Sequence, residues 1–184
     1  AIRTAQEKHG RLPTRPVLIH GQFQREDQAD SFVELGVFPS LFPMHTFYWG
    51  DWYKQIVGPE QADRISPMRS ILDTGLHATS HTDAPVALPN LMQVAWATVN
   101  RTSRSGAVIG PDERVTPYEA MKMITLWGAE QFGEQATKGS LEPGKLADMV
   151  LLSDNPLTID PARINEIVVL ETIKDGKTVY KRGQ

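Results

Sequence analysis

Short apolar runs alternate with amphipathic stretches through the first half of the chain, and this pattern predicts strands that hand over to helices. Residues 1–10 read as the end of a helix, with Gly10 as its stop and Pro13 and Pro16 blocking continuation. Val17-Leu18-Ile19, closed by His20 and Gly21, suits a parallel strand buried on both faces. From Arg25 to Leu35, Ala29, Phe32 and Val33 share one helical face, and Gly36 can supply a left-handed C-cap. Val37 to Met44 repeats the unit as a second apolar strand ending on His45, although it holds two prolines. Thr46 to Asp51 reads as an aromatic, glycine-containing loop. Ser66 and Pro67 then predict the N-cap and first position of a helix that ends at Gly75. Leu76 to Ser80 is a third strand, leading into His81-Thr82-Asp83-Ala84-Pro85.

Strands alternating with helices predict a parallel α/β sheet, and such sheets carry their chemistry beyond the carboxyl ends of the strands. Two further helices follow. One has Leu91, Val94, Ala95 and Thr98 in register, and the other opens on the capping box Thr116-Pro117-Tyr118-Glu119. The tail changes character: Asp148 to Leu152, Ile164 to Leu170 and Thr172 to Tyr180 read as strands, and Asp175-Gly176 is a hairpin turn. This predicts a second, antiparallel β-domain. No internal repeat of solenoid length interrupts the pattern.

Composition narrows the function classes. With 184 residues and 40% hydrophobic content, the chain supplies one domain or one and a fraction. Its 19 basic and 22 acidic residues are interspersed and leave a net charge of −3, without the basic run that follows a phosphate backbone, so nucleic acid is not an expected partner. The absence of cysteine excludes disulfides and thiolate metal sites. It leaves the compartment open, with a slight lean to the cytoplasm. No apolar stretch approaches the roughly 20 residues of a membrane span, and Arg3, Glu7 and Lys8 do not suit a signal peptide. No membrane partner is expected. Nor does a Gly-rich phosphate loop follow any predicted strand, which disfavours a nucleotide- or sugar-binding module.

His20, His45, His81 and Asp83 all fall near predicted strand ends, where one concave face could gather them. Imidazole nitrogen and carboxylate oxygen suit zinc or a similar divalent cation, and a carboxylate beside activated water can take up its proton and deliver it to a leaving amine. Asp83 is the candidate for that role. Each residue also has an ordinary reading: a strand-end histidine can simply hydrogen-bond a loop, and Asp83 before Ala84-Pro85 can be a turn aspartate. His9 and His77 read as surface or packing residues. Phe47, Tyr48, Trp49 and Trp52 suit a pocket wall or lid and, equally, the packing of a long loop.

Several strings in the chain resemble one known family. Gly139 to Pro156 (GSLEPGKLADMVLLSDNP) resembles the segment by which amidohydrolase-superfamily chains leave their catalytic barrel for a small β-sandwich domain. HTDAPV (His81 to Val86) resembles the end of that barrel's eighth strand, and LIHGQ (Leu18 to Gln22) the histidine motif of its sixth. PSLFPMH, NRTSRSG and VTPYEAMKMIT are similar to the amidohydrolase 3 branch, which includes N-substituted formamide deformylase-like enzymes. The resemblance implies an α/β fold: the sixth to eighth strands of a TIM-type (β/α)8 barrel over residues 1–138, and part of a β-sandwich over residues 139–184.

The resemblance also implies metal-activated water acting on non-peptide, amide-like C–N bonds of a small molecule. Asp83 would be the catalytic acid/base and a metal ligand, and His20 a second ligand. His45, His81, Trp49 and Arg101 would lie on the substrate side. A one-strand shift in the alignment would instead make His45 a ligand. The cofactor would be one or two divalent ions, zinc first among them. The family's His-x-His pair, its fourth-strand bridging residue and its fifth-strand histidine have no counterpart here. The chain therefore reads as the C-terminal part of a larger enzyme, inactive by itself, whose partner is the missing N-terminal part of the barrel; self-association is compatible with this. The alternative is a catalytically silent scaffold or subunit module that needs a complementary chain.

Overall fold

The computed structural model describes residues 1–11 and 13–183. Helix α1 (Ile2–His9) leads into strand β1 (Val17–His20), helix α2 (Glu26–Leu35) and strand β2 (Phe38–Leu41). Arg3 pairs with Glu34, and Gln6 Nε2 donates to the Leu35 carbonyl at 2.9 Å, which ties α1 to the end of α2. Gly36 ends α2 in the left-handed conformation, as its sequence position predicts. Ala29 is buried beneath α2 while Val33 faces solvent, so the apolar face of this helix is narrower than its spacing suggested.

β1 and β2 pair in parallel with His20 opposite Leu41, and β3 (Thr79–Ser80) joins β2 with Ser80 opposite Leu41. The three strands therefore finish level, in the order β1-β2-β3. β2 is buried throughout. Its Pro39 offers no donor, which a central strand accepts here because β3 is only two residues long and pairs with Ser40 and Leu41 alone. β1 corrects an expectation. Val17 is 37% and Ile19 61% exposed, because among the described residues β1 has a neighbour on one side only.

The stretch after β2 is a second correction. The expected aromatic loop is helix α3 (Met44–Ile56), started by Pro43. Gly50 made it read as a loop, but that glycine serves packing: a Cβ there would lie 2.7 Å from Ile109 Cγ1. Short helices α4 (Pro59–Asp63) and α5 (Met68–Asp73) precede β3. Helix α6 (Leu91–Asn100) is capped by Asn90, whose Oδ1 accepts from the Met92 and Gln93 amides at 3.1 and 3.2 Å. Helix α7 (Pro117–Met123) carries the predicted Thr116/Glu119 capping box, and α8 (Leu126–Gln131) follows. Phe38, Leu41, Ile71, Ala95 and Met123 lie in the main core, and a smaller cluster of Phe42, Met44 and Val94 sits between α3 and α6.

Strands β4 (Met149–Leu152), β5 (Val169–Lys174) and β6 (Lys177–Lys181) form a separate antiparallel sheet. Asp175 and Gly176 both have positive φ (48° and 74°), as a two-residue hairpin turn requires. The strand expected from Ile164 begins only at Val169. Pro161–Glu166 is instead a 3-10 turn, in which the Asp160 side chain caps the Ala162 amide and Trp96 Nε1 holds the Ala162 carbonyl at 2.9 Å. No helix of the described residues is long and apolar enough to cross a membrane.

Candidate functional site

Because the strands end level, the side chains at their carboxyl ends share one rim. His20 closes β1 and His81 follows β3, with β2 between them, so the two backbones stand roughly 10 Å apart. Their imidazoles span that gap: His20 Nδ1 lies 2.9 Å from His81 Nε2. On its other side His20 Nε2 is 3.6 Å from Asp83 Oδ2. His20, His81 and Asp83 each bring one ligand atom within 4.8 Å of the others, a group that could hold a metal ion. The donor set, two imidazole nitrogens and a carboxylate oxygen, suits a divalent cation of the zinc type.

Supporting contacts fix the rings. Ser40 Oγ lies 3.0 Å from His81 Nδ1, and the Phe42 ring stacks on His81 at 5.4 Å with planes 15° apart. Such a contact on the far nitrogen orients a histidine toward a cation. Ser40 was legible as a polar residue inside the apolar run Val37 to Met44, yet its position in the strand did not reveal its partner.

His45 sits in the first turn of α3, 7% exposed, with its ring centre 5.9 Å from that of His20. Its Nδ1 meets Ser66 Oγ at 3.2 Å. Ser66 is not the cap that its Ser-Pro context predicts. The residue before α5 is Pro67, and the Ser66 hydroxyl turns inward to the Phe42 carbonyl at 2.9 Å. Trp49, one turn along α3, packs against His45 and Phe42 with ring centres 5.9 and 6.3 Å apart. It sits beside the rim, on a helix rather than a loop.

Arg101 departs from expectation altogether. It is 0% exposed, and its guanidinium donates to the carbonyls of Ile109, Ser66 and Ile65 at 2.7, 3.0 and 2.6 Å. A sealed side chain committed to backbone carbonyls cannot touch a substrate. It braces the segment that carries Ser66. His77 is a packing residue, stacked on Trp127 at 4.6 Å and paired with Glu130.

Burial, together with the charges of His20 and His81, pushes the His45 pKa down to about 4, against the opposing pull of Asp83. His81 is likewise pushed down to about 4, by burial first and His20 second. Both rings are therefore neutral near pH 7, which for His81 is the form that a cation would require of a ligand. Backbone conformation marks the same place. Of the five described non-glycine residues with positive φ, His20, Ser66 and Asp83 lie at or beside the rim, Arg101 is the left-handed C-cap of α6, and Asp175 belongs to the hairpin. Such conformations cost free energy and persist where the surrounding contacts enforce them.

Comparison with known proteins shows the family of the chain. The amidohydrolase 3 model, described as the amidohydrolase family, matches residues 1–180. The chain is 31% identical over 166 residues to an N-substituted formamide deformylase of Arthrobacter pascens, covering 90% of this chain and 31% of that protein. An amidohydrolase structure from Thermotoga maritima superposes with a TM-score of 0.67 at 21% identity, covering 98% of this chain and 40% of that one. A metal-dependent hydrolase from Pyrococcus horikoshii gives a TM-score of 0.70 at 21% identity over 87% of this chain and 32% of its own. The chain spans about a third of the length of the curated relatives it matches.

Proposed function

Because the chain belongs to the amidohydrolase family, we propose that it forms part of a metal-dependent hydrolase of non-peptide C–N bonds. The observation that carries this reading is the convergence of His20, His81 and Asp83 at the carboxyl ends of parallel strands. These three side chains would hold a divalent cation, zinc being the ion their donor set suits, which when bound would supply Lewis-acid activation of water and of the scissile carbonyl. Asp83 accepts a proton as water oxygen bonds to the carbonyl carbon, and returns it to the nitrogen as the C–N bond breaks. His20 and His81 hold their lone pairs in place, with Ser40 and Phe42 fixing the His81 ring. His81 thus moves from the substrate side to the cation side. His45 and Trp49 border the substrate. The substrate class is an N-substituted formamide or similar small amide, the class named for the Arthrobacter relative.

In this reading β1, β2 and β3 are the sixth to eighth strands of a (β/α)8 barrel over residues 1–138, and β4 to β6 belong to a β-sandwich over residues 139–184. The unpaired side of β1, with Ile19 61% exposed, supports further strands completing the sheet. The same feature favours a second reading, in which this chain is a silent module that works only beside a complementary polypeptide.

Zinc content after loading and desalting separates them. About one ion per chain is expected, falling in His20→Ala and in Asp83→Ala. Amine release from N-alkylformamides that vanishes in Asp83→Asn would establish the enzyme reading, and retained zinc without turnover would favour the module. Zinc content indifferent to both alanine substitutions would sink the metal site itself.

A further inference from the structure

Ser66 is fully buried and joins four parts of the rim. Its amide donates to the Gln22 carbonyl at 2.8 Å, just past His20; its carbonyl accepts from Arg101 Nη1 at 3.0 Å; its hydroxyl meets both the Phe42 carbonyl and His45 Nδ1. A serine hydroxyl has one proton, and a carbonyl oxygen can only accept. The Ser66 proton is therefore committed to Phe42, and Ser66 Oγ can only accept from His45. In the neutral ring this puts the proton on Nδ1 and leaves Nε2 with a lone pair. His45 Nε2 has no hydrogen-bond partner among the described residues, yet it is not among the buried polar atoms without a partner, which among those residues belong to Gln24 and Gln93, so it is open at its surface.

We propose that Ser66 is a positioning residue that holds His45 as the Nδ1–H tautomer, so that its Nε2 accepts from the N–H of a bound amide rather than donating to its carbonyl. The identity of that donor rests on the amide-hydrolase reading; the tautomer does not. Arg101 contributes by pinning the Ser66 carbonyl, which fixes the backbone from which the hydroxyl reaches the Phe42 carbonyl. The site thereby prefers secondary amides, which carry an N–H, over tertiary amides, which have none.

The test is two-bond proton–nitrogen correlation NMR on the chain labelled with 15N-histidine, with two probes, N-methylformamide and N,N-dimethylformamide. The expected result is His45 in the Nδ1–H form, with its Nε2 signal shifting on addition of N-methylformamide and several-fold less with the dimethyl compound. Ser66→Gly removes the hydroxyl while tolerating the φ of 48°, and should leave His45 in mixed tautomers with a weakened response. Should that variant not fold, the unsubstituted chain still decides the matter. An Nε2–H tautomer there overturns the positioning role. An Nδ1–H tautomer with equal responses overturns the N–H selection. No response to either amide overturns that selection and counts against the amide-hydrolase reading as well.

Discussion

Acid should unfold this chain through its rim histidines before its carboxylates are protonated. His45 and His81 have folded-state pKa values of about 4 against an ordinary value of 6.5. Both rings thus bind protons less readily folded than unfolded. Stability is complete above pH 6.5 and falls as the pH drops toward 4, because the unfolded chain carries the additional protons there. Each ring contributes a loss of about 3 kcal/mol by pH 4, with a mid-window slope of about 1.4 kcal/mol per pH unit. The rings share His20 as a neighbour, so about 6 kcal/mol is a ceiling for the pair. That is comparable with the whole stability of a small domain. Glu119 acts in a different window. Burial works against its charge, but Arg69 and the Thr116 cap hold its pKa at about 2, so its contribution is lost below the ordinary carboxylate range. Urea unfolding of the metal-free protein, followed by tryptophan fluorescence from pH 7.5 to 4.5, reads the effect directly. A loss of roughly 4 kcal/mol between pH 7 and 5 is expected, and His45→Asn with His81→Asn should flatten it. A change below about 1 kcal/mol over that range would refute the assignment of burial as the dominant cause.

Two further substitutions probe the surroundings of the site. Arg101→Lys should cost about 3–5 kcal/mol in the same assay, because an ammonium cannot reproduce the guanidinium fork on the carbonyls of Ile109, Ser66 and Ile65; stability within 1 kcal/mol of the parent, on the order of experimental scatter, would contradict this. Gln24 is 8% exposed, and both its amide atoms are buried without a partner. Gln24→Met should therefore stabilise the chain by roughly 1–3 kcal/mol, and a lowered melting temperature would show that the amide has an unrecognised partner.

The elements that local chemistry specifies were legible in the sequence. The Thr116/Glu119 box, the Gly36 cap and the Asp175-Gly176 turn each depend on residues within a few positions of one another. So does the placement of His20 at a strand end, because the apolar run Val17-Leu18-Ile19 followed by a polar residue marks where the strand stops. What the sequence did not disclose depends on distant partners. Ser66 has the local signature of a cap, but the Phe42 carbonyl and His45, more than 20 positions away, claim its hydroxyl. Arg101 was expected on the substrate side, but the carbonyls of a separate segment surround it. Gly50 suggested a loop because its use, close approach to Ile109, is invisible without the fold.

That contact at Gly50 also governs how the site can change. Ile109 is held from both ends by Arg101: its amide donates to the Arg101 carbonyl at 2.8 Å and its carbonyl accepts from the Arg101 side chain. Helix α3 rests on Ile109 through a position that has no side chain, and His45 projects from the same helix five residues earlier, about 7.5 Å along its axis. The seating depth of α3 is therefore metered at a buried contact away from His20, His81 and Asp83. Widening or narrowing the mouth of the site needs no exchange of its lining residues; a methyl group more at residue 50, or fewer at residue 109, would move the wall as a unit.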